Sequence, residues 1–253
     1  MTQVVSLSFF RFDSPLSKFW ALSMMAFARW PMSRVPGIGF WKLCGSGTGE
    51  GFTPRPNTGV YAVLATWPDL ATAQARIKSA RIFQRYRAQA CEDWTVYLAP
   101  QSARGAWSGK VPFSPATADP NDPTGPLAAL TRATIKPRIL MRFWGRVPNI
   151  SDVIGRDPNV LFKIGIGEVP MLHQVTFSIW PDAARMAQFA RQGPHAEAIR
   201  AVREEGWFAE ELYARFAVLT HEGTWGGTAP IAAQNSAGAT APKASPFDVL
   251  DPV

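Results

Sequence analysis

The segment Val60-Tyr-Ala-Val-Leu-Ala-Thr-Trp-Pro-Asp69 has a counterpart later in the chain, His173-Gln-Val-Thr-Phe-Ser-Ile-Trp-Pro-Asp182. Each segment is a run rich in β-branched and aromatic residues that ends in Trp-Pro-Asp, a pattern typical of a strand followed by a helix. The two tryptophans are 113 residues apart (180 − 67). An internal repeat of this kind predicts a fold that is built twice.

The same offset predicts which other residues of the two copies correspond. Three pairs are identical: Arg87 with Arg200, Glu92 with Glu205, and Trp94 with Trp207. Identity in both copies indicates a structural role, and each arginine is expected to pair with the glutamate that follows it. One pair is unequal, because Ile82 corresponds to His195 at this offset. This difference indicates that the second copy contains the functional site and that the first copy has a structural role.

Hydrophobic periodicity and turn residues predict the order β-α-β-β-α-β twice, which is the ferredoxin-like arrangement and an α+β fold. In the first copy we predict strands over 4–12, 40–44, 60–67 and 94–99, with helices over 14–34 and 70–90. In the second we predict strands over 139–147, 160–165, 172–180 and 212–219, with helices over 151–158 and 183–205. Residues 1–99 and 135–225 then form the two repeats, 100–134 a connecting loop, and 226–253 a disordered tail.

Composition limits the class of protein. The chain has 253 residues, of which 47% are hydrophobic, and this is enough for one or two domains with a real core. Lys and Arg exceed Asp and Glu by 26 to 19, but the cations are scattered and nothing has zinc-finger spacing, so nucleic acid is not an expected partner. Two cysteines and no secretory signal predict reduced thiols in a cytoplasmic protein.

One apolar segment, residues 19–30, is unusually rich in aromatic residues and methionine. It is too short to cross a bilayer. It is interpreted either as a helix that faces the core or as a surface for a membrane or an apolar ligand. The sequence leaves both interpretations open.

His195 is the main candidate for chemistry. It follows Gly193-Pro194 inside a helical region, where proline interrupts the hydrogen-bond ladder. A neutral imidazole there can coordinate an iron atom. On the residues alone, the pattern is more typical of a helix that restarts at an N-capping or surface histidine. The other two histidines, His173 and His221, are too dispersed to complete a zinc motif.

Other motifs give weaker indications of function. The glycine-rich segment Gly45–Gly51 lacks the Gly-Lys-Ser/Thr ending of a phosphate loop and is predicted to be a mobile loop between paired strands. There is no Gly-x-Ser-x-Gly element for a serine hydrolase. The acidic residues near position 205 are most simply a solvated face.

Several segments resemble the spheroidene monooxygenase family, the acyclic carotenoid 2-ketolases of purple photosynthetic bacteria. The resemblance is carried by Leu7-Ser-Phe-Phe-Arg-Phe12, Gly37-Ile-Gly-Phe-Trp-Lys-Leu43, Gly45-Ser-Gly-Thr-Gly-Glu-Gly-Phe-Thr-Pro54 and the Trp-Pro-Asp segment that ends at Asp69. It extends from about Val4 to Trp225, is most specific in the first seventy residues, and does not include the tail.

The resemblance implies oxidation at C-2 of spheroidene to spheroidenone, by two hydroxylations and loss of water, with O₂, reduced ferredoxin and a haem cofactor. The second half is also similar, more distantly, to dimeric α+β barrel proteins that bind haem, which implies that the two repeats form such a barrel. In those proteins a histidine on the long helix ligates the iron. His195 matches that position, and His173 is the alternative ligand. Arg142 or Lys163 would bind the haem propionates.

A carotenoid substrate also implies peripheral contact with the inner or photosynthetic membrane, through residues 19–30. Two other functions stay open on the same fold. One is a monooxygenase that needs no cofactor, and the other is a carrier that binds haem or lipid without turnover. The sequence does not predict the oligomeric state.

Overall fold

The computed structural model describes residues 2–49, 51, 53–115, 125–145, 160–191 and 206–231. Eight strands form one closed barrel in which every pairing is antiparallel. In chain order they are β1 (Val4–Arg11), β2 (Trp41–Gly47), β3 (Pro56–Trp67), β4 (Glu92–Gly105), β5 (Leu127–Ile135), β6 (Phe162–Gly167), β7 (His173–Trp180) and β8 (Phe208–Gly223).

Besides the helical residues 140–145, the described part contains the helices α1 (Pro15–Phe27), α2 (Arg29–Ser33), α3 (Leu70–Ser79), α4 (Arg81–Gln89) and α5 (Ala183–Arg191), which cover the outside of the barrel. The side chain of Ser14 accepts a hydrogen bond from the backbone of Ser17 and so caps α1. The two long helices predicted in the first repeat are each divided once. Ala28 separates α1 from α2, and Ala80 adopts an extended conformation between α3 and α4.

Two ferredoxin-like repeats account for the strand order. Around the barrel the strands run β1, β3, β2, β6, β7, β5, β8 and β4. The first half therefore reads β4-β1-β3-β2 and the second reads β8-β5-β7-β6, which is the same order of corresponding strands. The halves join along a long β4–β8 pairing, from Trp94–Gly223 to Gly105–Leu212, and a short β2–β6 pairing at Gly45–Gly167 and Ser46–Ile166. The predicted α+β barrel of two repeats is confirmed.

The barrel interior is a packed apolar core. Alternate residues of the strands point inward and meet there, including Phe9, Trp94, Phe162 and Phe177, whose rings contact one another. A second core lies between the first-half sheet and helices α1 to α4. Smaller clusters cover two ends of the second-half sheet. In the described part of the chain, side chains therefore fill most of the barrel interior.

The first strand of the second repeat is not where the sequence placed it. The predicted strand over 139–147 is wrong, because Pro137–Ile139 is a 3₁₀ turn and residues 140–145 are helical. Pro137 fixes its own φ and lacks an N–H, so it favours the start of a helical turn over a ladder. The strand is β5, which lies inside the segment 100–134 predicted as a loop, as does the end of β4.

The predicted tail begins within ordered structure. Trp225 and Thr228 form a β-bridge, the backbone N–H of Gly227 donates to Glu92, and Ile231 is buried in the barrel core. The prediction of disorder from residue 226 is therefore wrong for residues 226–231. Residues 232–253, like the predicted helix over 151–158, lie outside the described part of the chain.

Candidate functional site

The Trp-Pro-Asp segments occupy equivalent places in the two halves. Trp67 lies opposite Val4 at the end of the β1–β3 pair, and Trp180 lies opposite Leu127 at the end of the β5–β7 pair. Each following aspartate caps a helix, because Asp69 accepts from the backbone of Thr72 and Asp182 from that of Arg185. These hydrogen bonds lower the pKa of both carboxyl groups. The 113-residue offset therefore holds through β3 and β7.

The offset changes before the last strand. In the first half Trp94 pairs with Phe9. The equivalent of Phe9 in the second half is Arg132, and Arg132 pairs with Leu212. Trp94 thus corresponds to Leu212, 118 residues away (212 − 94), and not to Trp207 as predicted. The shift of five residues falls between Asp182 and Leu212. That stretch includes His195, so the pairing of His195 with Ile82, a core residue of α4, no longer follows from the repeat.

The predicted arginine pairing is also wrong for the first copy. Nε of Arg87 lies 3.4 Å from a carboxylate oxygen of Asp93, whereas Glu92 pairs with Arg11 at 3.3 Å. Residues 200 and 205, which form the corresponding pair in the second copy, lie outside the described residues.

The outer faces of the two half-sheets differ strongly in the size of their side chains. Strand register gives six equivalent positions at which the first half has a large apolar or aromatic residue and the second has a smaller or polar one: Phe10/Ala133, Trp41/Lys163, Leu43/Gly165, Tyr61/Gln174, Val63/Thr176 and Tyr97/Arg215. In the first half these side chains pack under α1 to α4. The second half has no such layer of large side chains in the part of it that the structure describes.

We call this second face the small-residue floor: Ala129, Thr131, Ala133, Gly165, Thr176 and Ser178. Its members lie side by side on β5, β7 and β6. An apolar cluster bounds each end of the floor. Leu127, Trp180 and Met186 pack at one end, and Ile135, Phe143 and Trp207 at the other. A flat face of small residues between two apolar clusters can accept a flat apolar ligand.

The glycine-rich segment forms part of the surroundings of this floor. A Cβ added to Gly51 would lie 1.7 Å from the carbonyl oxygen of Gly165, and one added to Gly165 would lie 2.4 Å from that of Gly51. The φ of Gly51 is +90°, which also disfavours any other residue. Ser46 Oγ donates to the same Gly165 carbonyl at 2.8 Å. The predicted connection between paired strands is therefore packed against the second half.

A buried polar network closes one end of the barrel. Arg132, on the inward face of β5, is 1% exposed and forms an ion pair with Glu210. Glu168 accepts from Lys42 Nζ at 2.6 Å and from Trp107 Nε1 at 2.6 Å. In the first half Phe9 occupies the position that corresponds to Arg132. An ion-pair network has therefore replaced an aromatic core residue in the second half.

Electrostatics in this network favour the ionised form of Glu210 and the protonated form of the Cys44 thiol. Burial opposes ionisation of Glu210, but hydrogen bonds from the backbones of Gly109 and Ser108, together with Arg132, lower its pKa overall. Burial raises the pKa of the Cys44 thiol, and the charge of Glu168 adds to this effect. The network is therefore suited to fixing the barrel end and not to nucleophilic chemistry through Cys44.

The three predicted site residues that the structure describes, His173, Lys163 and Arg142, are not brought together. His173, at the start of β7, points into the polar network, with Nδ1 3.5 Å from a Glu168 oxygen and its pKa lowered by burial. Lys163 faces the opposite side of the sheet and lies in one cross-strand row with Ser178, Ala129 and Arg215. Arg142 is exposed on the helical residues 140–145.

His195 lies outside the described residues, so its predicted role stays a prediction. The third histidine, His221, is half-buried on β8, with its ring 6.3 Å from that of Trp94. Within the described ranges, no group of three histidine, cysteine or acidic side chains could hold a metal ion.

Sequence reasoning missed the polar network and the floor. Arg132 lies in a strand whose Pro- and Gly-rich surroundings suggested a loop, although Leu127-Ala-Ala-Leu-Thr-Arg-Ala-Thr-Ile135 has a usable alternating pattern. Small residues such as Ala129 and Thr176 have no distinctive sequence signal. Only the strand register shows that they share one face.

Among solved structures, this architecture is similar to that of aldoxime dehydratases. One crystal structure of aldoxime dehydratase gives a TM-score of 0.61 at 13% identity, covering 86% of this chain and 82% of that one. Another, of the enzyme OxdRE in complex with butyraldoxime, gives 0.60 at 11% identity, with coverages of 88% and 82%. At such identities the likeness shows a shared fold class, an α+β barrel formed within one chain.

Sequence relatives define the family more closely. The chain is 52% identical over 232 residues to spheroidene monooxygenase of Rhodobacter capsulatus, which covers 91% of this chain and 96% of that protein. It is 50% identical over 247 residues to spheroidene monooxygenase of Cereibacter sphaeroides (96% and 76% coverage), and 37% identical over 216 residues to that of Rubrivivax gelatinosus (85% and 82%). No protein-family model matches the chain. The chain belongs to the spheroidene monooxygenase family.

Proposed function

We propose that this protein is a haem-dependent monooxygenase that introduces a 2-keto group into an acyclic carotenoid, converting spheroidene to spheroidenone. Two successive hydroxylations at one carbon give a geminal diol, which loses water to form the ketone. Each hydroxylation uses O₂ and two electrons from reduced ferredoxin. The observation that carries the proposal is the 52% identity over nearly the whole length of a relative named for this activity.

The small-residue floor is the surface that best suits the reaction. The barrel interior is filled, and the outer face of the first half is covered by large side chains under four helices. On the floor, Thr131 and Thr176 are adjacent, small and only partly buried, whereas residue 51 covers Gly165. A haem or a polyene, both of which are flat and apolar, is expected to pack on such a surface. This supports the prediction that the second repeat, residues 135–225, is the haem-bearing half.

The residues present fit a haem group. The cations Lys163 and Arg215 lie at the two ends of one cross-strand row of the floor and could neutralise propionates, and exposed Arg142 lies on the helical segment beyond the floor. In the sequence, His195 is four residues beyond the end of α5. α5 itself packs on one end of the floor through Met186. Haem iron with one histidine ligand supplies O₂ activation when bound.

His173, the alternative candidate for the axial ligand, is less well supported. Its imidazole faces the inward side of the sheet, beside Glu168, whereas the floor lies on the outward side. Burial lowers the pKa of this imidazole and so favours the neutral form that a ligand requires, but its Nδ1 lies 3.5 Å from a Glu168 oxygen, inside the polar network and away from the floor. His195 therefore remains the residue that we propose as the axial ligand.

The polar network supports the site indirectly. Lys42 on β2 and Glu168 after β6 join the two halves at the seam where only two residue pairs connect β2 with β6. Arg132 extends the same network to β5 and β8. By fixing these strands, the network holds the floor flat. These side chains are positioning residues and do not touch the proposed ligand.

The substrate determines where the protein works. An acyclic carotenoid dissolves in lipid, so we expect peripheral contact with the inner or photosynthetic membrane from the cytoplasmic side. No helix in the described part of the chain is long and apolar enough to span a bilayer. Contact would therefore be made by a surface of the folded protein.

The test is a turnover assay with purified protein, spheroidene in detergent or vesicles, O₂, reduced ferredoxin and its reductase. We expect spheroidenone, with oxygen from ¹⁸O₂ in the hydroxylated intermediate, and inhibition by cyanide. Ketone formation by haem-free protein that is insensitive to cyanide would instead indicate a cofactor-independent monooxygenase. Binding of haem or carotenoid with no product under any donor would indicate a carrier.

A further inference from the structure

Helices α1 and α2 present apolar side chains on two opposite faces. One face is buried against the barrel through Ser17, Ala21, Met24, Ala28 and Met32. The other, which we call the α1–α2 stripe, consists of Leu16, Phe19, Leu22, Phe27 and Trp30. Between 54% and 83% of the surface of each stripe residue is exposed. A surface helix normally has one apolar face, so the second face needs a partner.

Cations predominate near the stripe in the sequence. Asp13 precedes α1, and from Ser14 to Gly49 the sequence contains four cations and no aspartate or glutamate. Lys42 is used in the polar network, whereas Lys18, Arg29 and Arg34 flank the stripe. The guanidinium of Arg34 lies over the ring of Trp30 at 3.9 Å. Aromatic and aliphatic side chains flanked mainly by cations are characteristic of helices that lie in the interface of an anionic bilayer.

We propose that the α1–α2 stripe docks this protein on an anionic lipid surface, with both helices lying in the plane of the interface. A second copy of the chain is a poorer occupant. In a two-fold dimer built on this face the stripe would meet itself and bring Lys18, Arg29 and Arg34 close to their own copies. An acidic lipid headgroup layer neutralises the same cations and covers the apolar side chains.

A cleft continues from this surface towards the second half. It has a volume of about 640 Å³ and lies between residues of β3 and β6, beside Ser46 of β2. Lys18 of α1 and Lys163 in the row of the floor both line it, and Leu161, Phe162 and Trp225 provide apolar walls. A ligand leaving the bilayer beside α1 would therefore meet a cleft with both polar and apolar walls that reaches Lys163.

The docking surface deepens the proposed function, because a substrate dissolved in lipid has to be collected at a bilayer. Binding to vesicles is measured without substrate, haem or electron donor. A failure of docking and a failure of the proposed reaction are therefore distinguishable: the protein can bind vesicles and lack activity, or act on carotenoid in detergent and fail to bind vesicles.

The experiment is flotation of the full chain with vesicles of phosphatidylcholine alone or mixed with phosphatidylglycerol. We expect wild type to float with the mixed vesicles. The double variant Phe19→Glu with Trp30→Glu should lose at least about tenfold in partitioning. Val111→Glu is the matched control, since Val111 is an equally exposed apolar residue far from the stripe in sequence and outside it. Arg29→Gln with Arg34→Gln should weaken binding to the mixed vesicles alone.

A fluorescent label provides a second measurement that does not depend on the glutamate variants folding. Cys44 is buried, so Phe19→Cys in a Cys91→Ser background leaves one reactive thiol at the stripe. An environment-sensitive dye there should shift to the blue when mixed vesicles are added. The proposal is overturned if wild type does not float, if the double variant floats as well as Val111→Glu, or if the dye does not respond. It is also overturned if wild type does not bind vesicles and the double variant converts a dimer into a monomer.

Discussion

The unequal outer faces of the two half-sheets make a direct prediction about two equivalent residues, Val63 and Thr176. Val63 is 1% exposed and lies between Leu43 and Ser8 under the first-half helices. A phenylalanine at this position has no free space, so Val63→Phe should lower the free energy of unfolding by about 1–3 kcal/mol. At this chain length each kcal/mol corresponds to about 2–4 °C in Tm, so a decrease of roughly 2–12 °C is expected.

The same change in the second half should have a different consequence. Thr176 is half-buried and lies between Gly165 and Thr131 on the floor. Thr176→Phe in protein prepared without haem should change the free energy of unfolding by less than about 0.5 kcal/mol. It should, however, fill the floor and reduce haem uptake at least about tenfold, an effect worth about 1.4 kcal/mol of binding free energy.

Thermal unfolding followed by circular dichroism, with haem titration followed by absorbance, checks both halves of this prediction. Equal destabilisation by the two variants would mean that the second face is as tightly filled as the first. A stable Thr176→Phe protein that binds haem and converts carotenoid like wild type would refute a ligand on the floor.

Three further predictions concern the polar network and the glycine contact. Arg132→Met should cost about 3–5 kcal/mol of unfolding free energy in denaturant titrations, because it removes the buried cation paired with Glu210; a loss below about 1 kcal/mol would contradict this. Since the pKa of Glu210 is lowered in the folded state, its contribution is present above its ordinary pKa of about 4.5 and is lost as the pH falls through the lowered value. Glu210→Gln should therefore be less stable than wild type near neutral pH and show a shallower loss of stability in acid; parallel curves would exclude this role. Gly165→Ala should push away the segment at Gly51 and cost about 1–3 kcal/mol, with Gly145→Ala, where nothing lies near the added Cβ, as a neutral control in the same thermal assay.

Much of the barrel follows from local sequence. β1, β3 and β7 consist of alternating β-branched and aromatic residues, and tryptophan followed by a helix-capping aspartate ends two of them. In such strands both the alternation of side chains and the end of the strand can be recognised in the sequence. Their prediction is therefore correct to within a few residues. β5 was missed because Arg132 interrupts its inward apolar pattern, and the apolar residues after Pro137 resemble a strand although proline starts a helical turn there.

The candidate site was less accessible to prediction because it depends on register. A constant offset paired Trp94 with Trp207, whereas the strands pair it with Leu212, and five residues enter the repeat in the stretch that includes His195. Lys42 and Lys163 match in sequence but lie on opposite sides of the sheet, one in the polar network and the other beside the floor. The sequence indicated that the second half differs from the first. It did not indicate that small residues on the outer face of the second half-sheet make this difference.

The most direct test of a haem-bearing second half is the visible absorption spectrum of protein produced with a haem supply. We expect a Soret band in wild type that His195→Ala abolishes or shifts. His173→Ala and His221→Ala should retain the band, since the first side chain faces the polar network and the second lies beside Trp94. A colourless wild-type protein that makes the ketone, or an unchanged Soret band in His195→Ala, would contradict the account.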